Sequence, residues 1–335
     1  MRKKQLFTLV LALFFVASSG SARAAGYANP QLLLSPQQVK ANIGKSDWVV
    51  VDCRPLKNYL KGHIPGAISL GKRCDKALRD PTARMFTNMS KYEKILGSVG
   101  IGNNTHVAFY HGGLKTLTRA TVAFWVMEAL GHDKAHLLNG GLEAWKAAGF
   151  KLDKKPTMKK AVSFKVKFNP QLLATTGEIL KIARGERKGV QLIDSRTAKE
   201  YQGKDMRAVR AGHVPNVTAN IPHVDTLVKK KGKSGKMVAT GYLSANVLES
   251  KFGKLDKNKR TIGYCQTGTR STLTYLELRL MGFKNIANWD DSWRVYGSLP
   301  DSPIENEQFF NFAQFRKMNK KLKKLEAEVK RLQRK

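Results

Sequence analysis

Gly263-Tyr264-Cys265-Gln266-Thr267-Gly268-Thr269-Arg270-Ser271 continues from Thr261-Ile262 and runs into an unbroken helix-forming stretch that reaches Met281. The order reads as the end of a strand, a tight polar loop, then a helix. A cysteine that opens such a loop sits among backbone N–H groups that have no intrahelical partner. Those donors, together with the helix dipole, stabilise an anion. A thiolate is such an anion, so the pattern points to Cys265 as a nucleophile at neutral pH. Gly268 lets the loop curl, and Arg270 adds positive charge. A buried structural cysteine beside a helix start is the plainer alternative, but strand, Cys, Gly and Arg in this order favour the nucleophile. Because the loop is polar, it is expected to be exposed, with the Arg270 guanidinium available to an anion.

Working outward, apolar strand candidates at residues 48–51, 107–110, 191–193 and 261–264 alternate with helical stretches such as 116–130 and 272–281. Short, continuous apolar strands between helices suit parallel sheets covered on both faces. Two sets of motifs recur at an offset of about 140–150 residues, which is domain-sized. Val49-Val50-Val51-Asp52-Cys53-Arg54, Tyr59 and Gly62-His63-Ile64-Pro65-Gly66-Ala67 return as Leu192-Ile193-Asp194-Ser195-Arg196, Tyr201 and Gly212-His213-Val214-Pro215-Asn216. Leu138-Asn139-Gly140-Gly141-Leu142-Glu143-Ala144-Trp145 and Gly149 return as Asn288-Trp289-Asp290-Asp291-Ser292-Trp293 and Gly297.

These motifs, with the loop at Cys265, resemble the rhodanese sulfurtransferases, in which Cys-x-x-Gly-x-Arg is a common active-site form. The resemblance covers roughly residues 30–304. It implies an α/β protein of two rhodanese-like domains, each a parallel sheet with helices on both faces. The expected division is a signal peptide at 1–24, a first domain at 30–150, a linker at 151–169, a catalytic domain at 170–304 and a basic helical tail at 305–335. Aligning Phe109-Tyr110 with Gly263-Tyr264 sets His111 opposite Cys265. Imidazole cannot carry a persulfide, so the first domain is expected to be silent and His111 to be a surface-loop residue without a role. The linker holds Ser163-Phe164-Lys165-Val166-Lys167-Phe168, whose alternation allows a strand.

The resemblance further implies a double displacement. Cys265 takes the sulfane sulfur of a small anionic donor such as thiosulfate, and a thiol or cyanide acceptor removes it. Gln266, Thr267, Gly268, Thr269, Arg270 and Ser271 would cradle the persulfide, Asp194 and Arg196 would form a structural pair, and no metal or organic cofactor is required. Four residues separate Cys265 from Arg270, one fewer than in the dual-specificity phosphatases of the same fold. The loop also lacks the Cys-Gly-Ser-Gly-Val-Thr typical of mercaptopyruvate enzymes. Glu200 stands where those enzymes and their mammalian thiosulfate relatives carry an arginine, which leaves anion binding to Arg207, Arg210 or Arg270. A persulfide carrier that delivers sulfur to another exported protein, with little turnover alone, is the competing function.

Met1-Arg2-Lys3-Lys4, an apolar core from Leu6 to Val16 and Ala22-Arg23-Ala24 form the pattern of a secretory signal peptide, which points to the periplasm. Removing its four basic residues takes the formal charge from +35 to +31, a field that concentrates anions. No aromatic-basic recognition motif accompanies it, so nucleic acid is not the expected partner. Of the three cysteines, Cys53 and Cys74 either pair, as an oxidising compartment permits, or remain two partly buried thiols. In the tail, Phe315, Met318, Leu322, Leu325, Val329 and Leu332 form a heptad-like seam, and residues 316–335 hold ten Lys or Arg against two Glu. An anionic membrane surface or a partner protein bound through 309–335 is expected ahead of self-association or of docking on the protein's own body.

Overall fold

The structure is a computed structural model and describes residues 26–79, 86–232, 235 and 237–333; the expected signal peptide lies outside them. The first half contains strands β1 (Leu33–Leu34), β2 (Trp48–Asp52), β3 (Ile68–Ser69), β4 (His106–Tyr110) and β5 (Ala135–Leu138). Its helices are α1 (Pro36–Asn42), α2 (Leu56–Lys61), α3 (Cys74–Ala77), α4 (Met89–Ser98), α5 (Leu114–Ala129) and α6 (Gly141–Ala147). The second half contains β6 (Leu173–Ala174), β7 (Val190–Asp194), β8 (Arg210–His213), β9 (Ala219–Asn220), β10 (Leu227–Lys231), β11 (Met237–Tyr242), β12 (Arg260–Tyr264), β13 (Ile286–Trp289) and β14 (Glu305–Phe309). Its helices are α7 (Thr176–Ala183), α8 (Ala198–Tyr201), α9 (Ala245–Phe252), α10 (Ser271–Leu280), α11 (Ser292–Tyr296) and α12 (Phe312–Leu332).

Each half has a five-stranded parallel sheet, ordered β1-β5-β4-β2-β3 in the first and β6-β13-β12-β7-β9 in the second. The same order in both follows from the repeated motifs. Strand alternation sends side chains to opposite faces, and both faces are covered. Val49 and Val51 of β2 enter a core with α5, while Val50 joins Val39, Tyr110 and Trp145 in another. In the second half Leu192, Ile262 and Trp289 pack with Ile179 and Ile182 of α7, while Ile193 and Ile286 face inward.

The inward faces of the two sheets share a single core, because α5 and α10 pack against each other. Thr121 and Thr272 hydroxyls lie 2.7 Å apart there. At the far end, the Glu128 carboxylate accepts hydrogen bonds from Tyr275 and from Arg279 (Nη2 at 2.8 Å). Hairpin β10–β11 also reaches the first half: Tyr242 N–H donates to Asn139 Oδ1 at 3.2 Å.

Two expectations change, and two open alternatives close. Residues 161–169 form no strand; they run extended across the first domain, tied by Val162 N–H to Gly97 O and Lys167 N–H to Leu130 O, both 2.9 Å. Phe164 is buried in the core they cover, so the alternation reports a strap with one wet side. Residues 305–309 are not helical; β14 pairs antiparallel with β8. Arg210 draws it in through Glu307, and His213 through Glu305 at 2.9 Å. Finally, Cys53 at the end of β2 and Cys74 at the start of α3 are bridged as a disulfide, with Cα atoms 4.8 Å apart, so the two-thiol alternative falls. Helix α12 stands away from both domains: Phe310 touches Phe312 and Phe315 at its start, and every described residue in it is exposed, which removes docking on the protein's own body.

Candidate active site

Strand β12 is central in its sheet, flanked by β7 and β13, and in open parallel sheets the crevice beyond the carboxyl ends of such strands is where ligands bind. Cys265 is the first residue past β12, and the loop it opens leads into α10. The ends of β7 and β13 bring Asp194-Ser195-Arg196 and Asp290-Asp291-Ser292 to the same place.

Two groups of the loop approach the sulfur directly. Arg270 N–H donates to Cys265 Sγ at 3.3 Å. Ser271 Oγ stands 3.7 Å from Sγ and donates to Asn288 Oδ1 at 2.6 Å. The N–H groups of Gln266, Thr267, Thr269 and Ser271 donate to no acceptor among the described residues. Gly268 adopts φ +67°, and a Cβ there would meet Asp290 O at 2.5 Å, so only glycine fits. Ser292 fixes the base of the loop, since its Oγ accepts from Cys265 N–H (3.1 Å) and Gly268 N–H (3.0 Å) and donates to Trp289 O (2.7 Å). Ser292 has φ +51°, a conformation costly for a residue with a side chain and held here by those three bonds.

The loop is less exposed than its polarity suggests. Cys265 is fully buried. Its neighbour Arg270 does not offer its guanidinium to solvent; that group is clamped in a two-point pair with Glu200, at 2.7 and 2.6 Å. Glu200 also closes the capping box of α8, accepting from Thr197 N–H at 3.1 Å. Burial alone would raise the Glu200 carboxyl, but the Arg270 pair overrides it and brings it down to about 2. Beside this pair, burial and then Arg270 push His223 down to about 4, leaving a neutral imidazole at pH 7.

The remaining expected residues separate. Arg196 and Asp194 form a buried ion pair at 2.6 Å, and Arg196 also donates to Gly212 O at 2.8 Å, tying two strand ends together. Arg210 is spent on Glu307, Ser302 and the carbonyls near residue 300, so it is withdrawn from the loop. Arg207 stays by the loop: Gln266 Nε2 donates to its carbonyl at 2.8 Å, and its side chain is 48% exposed and pairs with Asp205. Sequence reading missed Arg79. From the first domain it crosses to the Cys265 loop, donating to Thr267 O and Thr269 Oγ1 and pairing with Asp290 at 2.7 Å. No local signal could have found it, because its partners are some 190–210 residues away. Ser292 and Asn288 stand inside the second-half motif, but their bonds to the loop were not legible from it.

The first half shows what the loop adds. After Tyr110, residues 111–113 lead directly into α5, three residues against the six between Tyr264 and α10. His111 is not at the surface; it is buried, with both ring nitrogens unpaired among the described residues, and burial pushes it down to about 4. Gly141, at φ +59°, occupies the position of Ser292: its neighbour Leu142 donates to His111 O as Trp293 does to Cys265 O. The first half therefore has the turn without the hydroxyl or the sulfur. Among the described residues no group of His, Cys, Asp or Glu is placed to hold a metal ion.

Comparison with known proteins bears on the family and the fold. The family model for the rhodanese-like domain matches twice, at residues 35–148 and 180–298. A Saccharopolyspora erythraea protein named "Putative thiosulfate sulfurtransferase" is 34% identical over 290 residues, covering 83% of this chain and 97% of that one. The thiosulfate sulfurtransferase of Corynebacterium glutamicum is 28% identical over 293 residues, covering 83% and 92%. Among solved structures, the 3-mercaptopyruvate sulfotransferase SseA of Escherichia coli superposes with a TM-score of 0.64 at 21% identity, over 78% of this chain and 98% of that one. An anaerobic ergothioneine biosynthesis enzyme of Chlorobium limicola gives 0.71 at 19% identity, over 83% and 71%. These two likenesses concern the fold.

Proposed function

The chain belongs to the rhodanese family, with two rhodanese-like domains, and is a sulfurtransferase; from that premise we propose that it moves sulfane sulfur from thiosulfate to a thiol or cyanide through a persulfide on Cys265. The observation that carries this reading is a buried sulfur that accepts the Arg270 N–H, in a loop whose other N–H groups at Gln266, Thr267, Thr269 and Ser271 have no acceptor among the described residues. In the first step the Cys265 thiolate attacks the outer sulfur of thiosulfate. A new S–S bond forms, and the sulfur–sulfur bond of thiosulfate breaks with its electron pair leaving on sulfite. The persulfide anion then lies where Gln266, Thr267, Thr269, Arg270 and Ser271 present N–H groups, as an oxyanion hole holds charge. In the second step the acceptor attacks the outer sulfur, and the Cys265 thiolate leaves.

Arg207 recognises the sulfonate end of the donor: Arg210 and Arg270 are themselves largely buried and held at 2.5 and 2.6 Å by Glu307 and Glu200, whereas Arg207, 3.6 Å from Glu200, alone is half exposed beside the loop. That pairing of Arg270 with Glu200 also speaks against a carboxylate donor such as mercaptopyruvate, which would need a free guanidinium. The protein works in the periplasm. The leader-like segment at 1–24 supports this, as does the Cys53–Cys74 bridge, which suits an oxidising compartment.

Mass spectrometry tests the reading. After exposure to thiosulfate, Cys265 should carry one added sulfur with stoichiometric sulfite released, and Cys265→Ser should do neither while unfolding at the same urea concentration as the parent. Sulfite release only in the presence of another protein would transfer the assignment to a sulfur carrier. Substantial thiosulfate:cyanide turnover in Cys265→Ser would end the mechanism.

A further inference from the structure

Helix α12 carries its charges in an order that identifies what it binds. With Phe315 as the first position of a seven-residue repeat, Phe315, Leu322 and Val329 fall at a, and Met318, Leu325 and Leu332 at d. These six side chains are 43–61% exposed, a continuous apolar stripe that Phe310 touches at its first residue, Phe315, and that is open beyond it. The surplus of bases does not border that stripe. Arg316, Lys320, Lys324 and Arg331 are typical, falling at b, f, c and c. The flanks are Asn319 and Glu326 at e, and Lys321 and Glu328 at g. Both acids of the tail therefore stand beside the seam.

An amphipathic helix on an anionic membrane does the reverse. It sets lysines next to the apolar stripe, where their stems lie along the hydrocarbon and their ammonium groups reach the headgroups, and it keeps carboxylates away. Two such helices in parallel register, in contrast, bring position g of one against the following e of the other. Lys321 of each copy then meets Glu326 of the other, twice by symmetry. Glu326 is free for this: among the described residues it makes no ion pair, whereas Glu328 holds Arg331 of its own helix at 2.7 Å. Leucine at two d positions and valine at the last a suit two strands. The outward bases, at b, c and f, lie on the far sides of the pair.

We propose that α12 joins two copies of this chain as a parallel two-stranded coiled coil. This reverses the expected order, in which total charge placed a membrane or another partner ahead of self-association; the placement of the charges, rather than their sum, decides. The proposal does not depend on the sulfur-transfer reading. Three heptads make a short coil, so the dimer should form reversibly in the micromolar range. Added salt should strengthen it by screening the outward bases.

Sedimentation equilibrium of the full exported chain, at low and high salt, tests this. The parent should approach twice the chain mass as concentration rises, more readily in high salt. Glu326→Lys should weaken association about fivefold, and adding Lys321→Glu to the same chain should restore it. Leu322→Asp should remain monomeric. Thiosulfate turnover per chain should be equal in all of them, since the tail takes no part in the loop. Binding to phosphatidylglycerol vesicles is the counter-assay. A membrane helix predicts single-chain mass throughout, tighter vesicle binding by Glu326→Lys and loss of binding in high salt. That result would overturn the proposal. So would a monomeric parent at every concentration, an unaffected Glu326→Lys, or a charge swap that fails to rescue.

Discussion

Replacing Glu200 by Gln removes one negative charge from beneath the Cys265 loop and leaves the Arg270 guanidinium, largely buried, without its partner. Folding holds the Glu200 carboxyl at about 2 against an ordinary 4.5. With Glu200 almost fully buried, that difference corresponds to about 3 kcal/mol of stability at neutral pH, in the range expected when one member of a buried pair is lost. The folded value is the lower one, so the contribution is complete above 4.5 and disappears as pH falls through about 2. At pH 3 the gap between parent and Glu200→Gln should have shrunk to about 1.5 kcal/mol. Urea unfolding followed by tryptophan fluorescence at pH 7, 4.5 and 3 measures this directly. Glutamine keeps one acceptor for Thr197 N–H, so the α8 cap is largely preserved and the loss reports the pair. A gap below about 1 kcal/mol at pH 7, or one that does not change with pH, would refute the argument that Arg270 is neutralised by Glu200.

Arg79→Ala should cut thiosulfate turnover at least tenfold while leaving urea stability within about 2 kcal/mol of the parent, because it frees the loop at Thr267 and Thr269 but removes little core; unchanged kcat would show that the loop holds itself. Arg207→Ala should raise KM for thiosulfate with kcat nearly constant, and the parent's kcat/KM should fall with salt; steady-state kinetics at two ionic strengths checks both, and an unchanged KM would remove Arg207 from donor recognition. Replacing Cys53 and Cys74 by Ser should cost about 3 kcal/mol, the cost expected for a closed loop of this length, while persulfide formation on Cys265 continues; a protein equally stable in reducing and oxidising buffer would contradict the bridge.

What the sequence disclosed and what it hid follow one physical division. Runs such as Val49-Val50-Val51 announce a doubly covered strand, and the repeated motifs place two similar sheets before any coordinates exist. The Cys265 loop was legible because its donors are consecutive in the chain. Its supports were not. Glu200 reads as a missing arginine and turns out to neutralise one, and Arg270, expected to be free, is held by it. Polarity suggested an exposed loop because it reports composition, whereas burial is decided by what folds over it. The strand Leu227–Lys231, with three lysines in a row, carries no alternation and is stabilised by its hairpin partner. Glu305–Phe309 was read with the helical tail because its anchors, Arg210 and His213, lie about a hundred residues earlier.

The packing of α5 on α10 has a consequence for how the duplicated halves can diverge. The first half has no sulfur at its loop, so tolerance of substitution at His111, Gly112 and Gly113 is the expected outcome if it takes no part in sulfur transfer. Its inner helix is not free to vary, because Thr121, Phe124 and Glu128 complete a core that belongs equally to the other half. A saturation library selected for sulfur transfer should therefore show an uneven map across the first half. Substitutions at Thr121, Phe124 and Glu128 should be depleted as strongly as those at Leu273 or Tyr275, whereas exposed positions of α2 such as Leu60 should accept almost any residue. An isolated second half would inherit the reaction but expose the inner face of α10, so loss of the first copy would be lethal to solubility before it touched catalysis.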